Sequence, residues 1–167
     1  GALPPESNHS IKIEVAMAND QLVISRPVLV CEVNCLWFVD VFAIDTKSSS
    51  ATGNTERIAQ IGPYATNQQA QSFIPWGDSL AFVAGDPENG REIWTTDGTS
   101  EGTRRAFRSS QGEESTVRRL WGFQDELIYE MGPIDYSTIV RSDGTTEGTE
   151  IIATGIVGEF NREMFIS

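Results

Sequence analysis

Two short stretches hold most of the chemistry this sequence could do. Thr95 to Thr103 reads TTDGTSEGT, and Arg141 to Thr149 reads RSDGTTEGT. Each packs one Asp and one Glu (Asp97 with Glu101, Asp143 with Glu147) between glycines and threonines. Carboxylates and backbone carbonyls at such spacing are calcium-loop chemistry. The same residues are also the chemistry of a tight turn. Asp accepts backbone N–H groups two residues on, glycine accepts positive φ, and threonine offers a hydroxyl to the turn and a β-branch to a following strand. On the turn reading Asp97, Gly98, Thr99, Gly102 and Thr103 are structural, as are Asp143, Gly144, Thr145, Gly148 and Thr149. No cofactor is then called for; calcium is the alternative.

Other reactive groups are few. The single histidine, His9, lies near the N-terminus, which leaves little for Ser–His or Cys–His nucleophiles or a His-ligated transition metal. Acidic residues occur in nearly every turn, so no diagnostic carboxylate pair for glycoside hydrolysis stands out. The formal net charge is −12, and the arginine pairs Arg104–Arg105 and Arg118–Arg119 are few among acids, which argues against nucleic acid as a partner. With 39% apolar and 22% charged residues over 167 positions, the composition is that of a globular domain. No apolar run approaches the roughly 18–20 residues of a membrane helix, so membrane insertion is not expected. The opening GALPPES reads as a mature N-terminus or an expression scar.

The DGT phrases belong to a longer repeat. WGDSLAFVAG (Trp76–Gly85) and FQDELIYEMG (Phe123–Gly132) align without a gap at a spacing of 47, against 46 between Asp97 and Asp143. ANDQLVIS (Ala18–Ser25) extends the pattern upstream, and its anchor Asp20 is followed by Trp37 and then Asp40, taken as the counterpart of Asp97 and Asp143. The turn after Asp40 is longer and degenerate, ending in SSSATGNT. FNREMFIS (Phe160–Ser167) resembles the start of another copy. The expected organisation is an N-terminal extension over 1–10 and one domain over 11–167. Its repeats fall at about 11–65, 66–112 and 113–155, with a partial fourth at about 156–167. Repeats should be sought before single motifs, because stacked copies bury a face none can bury alone.

Inside a copy the apolar period is two. Runs rich in Ile, Val, Trp and Tyr alternate with Asp/Gly/Asn punctuation, the signature of hairpins; TERIAQI (Thr55–Ile61) is the one helical competitor. Four strands in 46–58 residues predict an all-β, β-propeller-like array of four-stranded antiparallel blades, about three and a half repeats in all. A linear β-solenoid is the alternative. On either plan the glycines Gly98 and Gly102 are expected at positive φ, and the tryptophans Trp37, Trp94, Trp76 and Trp121 in the cores between sheets.

At this point REIWTTDGTSEGT resembles the ELWxxDGT repeat of secreted and cell-surface bacterial proteins, through Glu92, Ile93, Trp94, Asp97, Gly98, Thr99, Gly102 and Thr103. The next copy keeps Asp143, Gly144, Thr145, Gly148 and Thr149 but has Thr138 and Val140 for the Glu and Trp; the first keeps Leu36, Trp37 and Asp40. The resemblance spans roughly residues 11–167. It implies propeller-like tandem repeats in large extracellular proteins without an assigned enzymatic activity.

Function is expected where the repeats differ, since loops on a rigid frame carry recognition. GDPENGR has become GPIDYS in the next copy, which singles out Asp86, Glu88, Asn89, Arg91, Asp135 and Tyr136 as binding candidates; solvated turn residues are the alternative. Cys31 and Cys35 would lie roughly 13 Å apart on a straight strand, too far for a disulfide. The repeat alignment instead sets them across a hairpin, where a bridge suits an oxidising compartment; two buried thiols are the alternative. The expected protein is a non-enzymatic binding or scaffold module, secreted, periplasmic or on the cell surface. It would serve protein interaction, adhesion or surface assembly, with a glycan-binding lectin and a carboxylate-based glycosidase as rivals. An incomplete ring would expose Ile151, Ile152 and Phe160, so its partners are expected to be other protein chains or further repeats.

Overall fold

Alternating apolar residues with turn residues every several positions make strands that pair with their sequence neighbours, and the computed structural model is built entirely that way. It describes residues 13–31, 35–47, 54–64, 71–86, 90–107, 116–133 and 136–156. The first sheet holds β1 (Glu14–Ala18), β2 (Gln21–Cys31), β3 (Cys35–Asp45) and β4 (Thr55–Tyr64). The second holds β5 (Gln71–Trp76), β6 (Ser79–Asp86), β7 (Gly90–Thr96) and β8 (Arg104–Phe107). The third holds β9 (Val117–Phe123), β10 (Glu126–Met131), β11 (Ser137–Ser142) and β12 (Thr149–Ile156). Each sheet is an antiparallel meander in chain order. TERIAQI lies in β4 as strand, its Ile58 and Ile61 both buried.

The sheets repeat one another in detail. The first hairpin turns have two residues, and the first central residue takes positive φ each time: Asn19 at 45°, Gly77 at 56° and Gln124 at 54°. Such turns match the twist of the flanking strands. A bulge falls at the same place on every fourth strand, leaving Ile58, Ala106 and Ile152 as the extra residues opposite Val41/Phe42, Ile93/Trp94 and Ile139/Val140.

The cores lie between sheets. Val23, Val39, Val41, Ala43, Ile58 and Ile61 of the first sheet meet Leu80, Phe82 and Ala84 of the second. The other face of the second sheet, Ala81, Val83 and Ile93, meets Leu120, Leu127, Tyr129 and Val140 of the third. The middle sheet is therefore covered on both faces, and β6 is buried from Leu80 to Gly85. Trp37 and Trp94 pack on the first core and Trp76 on the second.

Among the described residues stand three four-stranded sheets, where about three and a half units are expected; the residues of the partial fourth unit, Phe160–Ser167, lie outside the described residues. The structure corrects the repeat plan in the first sheet. Leu22 pairs with Ile44, as Leu80 pairs with Thr96 and Leu127 with Ser142. The counterpart of Asp97 and Asp143 is therefore Asp45. Asp40 sits within β3, buried, bonded to Gln60 at 2.8 Å, with Arg57 at 3.6 Å. The alignment slipped because β2 and β3 are each 11 residues long, so the second hairpin projects further than its counterparts.

Phe82 is fully buried at the first core and packs on the Phe73 ring at 4.9 Å. Phe82→Ala should cost about 3–5 kcal/mol, read as a lower urea midpoint with an unchanged slope.

Candidate functional site

The two DGT turns form the same network. Asp97 Oδ1 accepts Thr99 N at 2.9 Å and Thr99 Oγ1 at 2.7 Å; Thr99 Oγ1 in turn accepts Gly102 N at 3.0 Å. Thr96 Oγ1 accepts Gly98 N at 3.1 Å and lies 2.7 Å from Thr103 Oγ1. In the third sheet Asp143 Oδ1 accepts Thr145 N at 2.9 Å and Thr145 Oγ1 at 2.8 Å, and Thr145 Oγ1 accepts Gly148 N at 2.9 Å. Ser142 takes the place of Thr96, and Thr149 that of Thr103. Asp45 Oδ1 makes the matching bond from Lys47 N at 2.8 Å. The hydrogen bonds hold the Asp97 and Asp143 carboxyls below their usual range, the threonine hydroxyl contributing most.

The glycines serve two different ends. Gly98 and Gly144 both sit at φ 92°, a region other residues enter at a cost. Gly102 and Gly148 do not, contrary to the expectation of positive φ at Gly102. A Cβ on Gly102 would stand 2.0 Å from Asp97 Oδ1, and one on Gly148 2.1 Å from Asp143 Oδ1. The carboxylate itself excludes a side chain there.

Each DGT turn also packs on the first hairpin of the preceding sheet. A Cβ on Gly98 would lie 2.9 Å from Gln21 Cβ, and Asn19 Nδ2 donates to Asp97 O at 3.3 Å. A Cβ on Gly144 would lie 2.2 Å from Trp76 Cη2, and Trp76 Nε1 donates to Asp125 O at 2.8 Å. The phrase recurs because each joint between sheets uses it. Among the described residues no three His, Cys, Asp or Glu side chains converge to hold a metal ion.

At the opposite end of the sheets stand the second hairpins. Of the binding candidates, Glu88, Asn89 and Asp135 lie outside the described residues, and Asp86 closes β6 opposite Gly90. Tyr136 is exposed, and its ring lies beside Gly155 of β12. Arg91 is mostly buried; burial, then Arg118, lowers the pKa of its guanidinium. Cys31 and Cys35 are directly opposed, the last pair of the β2–β3 ladder. The sequence reading missed the charges beneath this end. Glu130 of β10 is buried, accepts Ser137 Oγ at 2.5 Å, and has Arg118 at 3.7 Å and Arg119 at 3.6 Å. Nearby burial, and secondarily Glu92, raises the Tyr129 phenol pKa. A carboxylate inside the apolar run LIYEM, opposite VRRL, was the available signal.

The chain matches no protein-family model, no curated protein and no solved structure. Its chemistry therefore has to be read from these two ends. One end is saturated by its own hydrogen bonds and by contact between sheets. The other carries hairpins that differ in length and sequence from sheet to sheet.

The turn can be tested as a unit. Asp97→Ala should lower stability at pH 7 by about 1 kcal/mol, by analogy with a lost helix cap. The folded-state pKa of Asp97 is lowered, so its contribution is present above the unfolded carboxyl range, about 3.9, and lost as pH falls through the folded value. The gap between wild type and variant should close on acidification. Gly102→Ala should destabilise wild type yet be tolerated in the Asp97→Ala background, a coupling read by a double-mutant cycle. EDTA should leave every melt unchanged; a sharp drop would show that calcium, not the turn's own bonds, holds it.

Proposed function

We propose that this chain is a propeller-type scaffold and binding module of an exported bacterial protein, acting in protein interaction, adhesion or surface assembly without covalent chemistry. The observation that carries the reading is the division of labour between the two sheet ends. First and third turns are consumed by the joints, while the second hairpins are free to vary. The radial plan draws support from the first strands, which pack side by side, β1 with β5 and β5 with β9, as strands converging on an axis do. The resemblance to the ELWxxDGT repeat points to the same architecture and to an extracellular setting.

Export makes a specific demand on the cysteines. Directly opposed residues on antiparallel strands have Cα atoms about 4.5–5.5 Å apart, within the span of a disulfide. The unreduced protein should therefore weigh two hydrogens less than its reduced form. Two alkylatable thiols in protein prepared under oxidising conditions would count against both the bridge and the exported setting.

The binding claim is tested by presenting the full chain to polypeptide and glycan arrays, with a glycoside-hydrolysis assay alongside. Retention should be lost in Arg91→Ala and Tyr136→Ala variants that melt as wild type does. Retention indifferent to the second hairpins would move the site elsewhere, selective retention of glycans would make the module a lectin, and turnover of a glycoside would make it an enzyme.

A further inference from the structure

The turn that joins the sheets demands a chemically fragile pair of residues. Asp97 is needed for its bonds to Thr99, and Gly98, at φ 92°, for a backbone conformation that a side chain would strain. The same holds for Asp143 and Gly144. The two requirements are separate, yet they fall on adjacent residues. An aspartate followed by glycine is unusually open to isomerisation, because no side chain shields the glycine nitrogen. That nitrogen attacks Cγ of the protonated carboxyl. The new N–C bond closes a succinimide ring, and one carboxyl oxygen leaves as water with the amide and carboxyl protons. Water then opens the ring at either carbonyl, giving aspartate or isoaspartate. Isoaspartate puts an extra methylene into the main chain. At Asp97 it would displace the carbonyl that accepts Asn19 Nδ2 and the glycine packed on Gln21, both parts of a joint between sheets.

The turn obstructs this reaction at both of its partners. The attacking nitrogens are occupied: Gly98 N donates to Thr96 Oγ1 and Gly144 N to Ser142 Oγ, each at 3.1 Å. The carboxyls under attack are held facing away. Asp97 Oδ1 receives the amide and the hydroxyl of Thr99, and Asp143 Oδ1 those of Thr145. Behind them stand Gly102 and Gly148. All three carboxyl atoms of Asp97 lie within 2.5 Å of the place a Cβ on Gly102 would take, and those of Asp143 within 2.2 Å of the place on Gly148. To bring Cγ onto the following nitrogen, the carboxyl must leave this seat and break both bonds to its threonine. The lowered carboxyl pKa acts in the same sense, since only the protonated acid can lose water.

We propose that the threonine two residues after each aspartate locks the carboxylate against cyclisation, so that the DGT turn preserves its own Asp–Gly bond. The third residue of the phrase then answers a hazard created by the first two. In the first sheet Thr46 follows Asp45, and the hazard does not arise there.

The test is peptide mapping of the full chain after warm incubation at about pH 5, above the ordinary carboxyl range. Electron-transfer fragmentation distinguishes isoaspartate from aspartate, which has the same mass. In the folded wild type, isoaspartate at Asp97 and Asp143 should accumulate far more slowly than in the same chain unfolded in urea. Thr99→Val exchanges the hydroxyl for a methyl at an exposed position and keeps the amide. It should raise the rate at Asp97 about tenfold, the effect of roughly 1.4 kcal/mol on a barrier, and leave Asp143 at the wild-type rate. Thr145→Val should do the reverse, so each variant carries its own control. Thr99→Ser retains the hydroxyl and should protect as the wild type does. A folded wild type that isomerises as fast as the unfolded chain would overturn the proposal, and that comparison needs no variant. Folded valine variants no faster than wild type, or a serine variant as fast as valine, would overturn it as well.

Discussion

Between the Asp97 carboxylate and the Gly102 backbone there is no room for a methyl group, and much of the architecture follows from that contact. The carboxylate is held by an amide and a hydroxyl of Thr99, and the same hydroxyl receives the Gly102 amide. A loop of seven residues thereby becomes a compact knob whose shape is set by its own bonds. Its twin at Asp143 has matching bonds and distances within 0.1 Å. Gly98 and Gly144, at the same φ, turn a backbone surface toward the preceding sheet. A hairpin of different composition, Asn19–Gln21 in one joint and Trp76 in the other, is received by that surface. A rigid knob with a bare face tolerates different partners, so the turn repeats almost verbatim while the residues it meets do not.

That asymmetry explains what was legible in the sequence. The turns could be read because their hydrogen bonds are local: Asp, Gly and Thr at fixed offsets name both donors and acceptors. Strands could be read from period-two alternation, and the unit length from the spacing of Asp78 with Asp125. Contacts between sheets were not legible. Nothing in TTDGTSEGT distinguishes a glycine chosen for positive φ from one chosen for a neighbouring carboxylate, so Gly102 was assigned the wrong reason. Nothing in the sequence joins Trp76 to Gly144 across 68 residues. The slip from Asp45 to Asp40 has the same origin. The longer β2–β3 hairpin moved its turn away from the expected spacing, and Asp40 offered a nearer match. Only the ladder register, Leu22 with Ile44, separates the two.

The binding candidates fared differently because recognition residues lack a local bonding rule. Arg91 was chosen for its place in a divergent loop, yet it stands mostly buried beside Arg118. Such a group carries charge into a region where Glu130 is enclosed by Arg118, Arg119 and Ser137. Buried ion clusters give little net stability after desolvation, so the enclosure of Glu130 by two arginines and a serine is a constraint on which side chains can stand together at this end of the third sheet.

A stack of this kind has a thermodynamic consequence that a single-core domain lacks. The middle sheet is covered on both faces, while each outer sheet leaves part of one face open. Unfolding an outer sheet sacrifices one joint; unfolding the middle sheet sacrifices two. In a stacked array stability is a sum of unit and nearest-neighbour terms. The middle sheet, with a joint on each face, is therefore the last of the three described sheets to open, and hydrogen exchange should be slowest along β6, buried from Leu80 to Gly85.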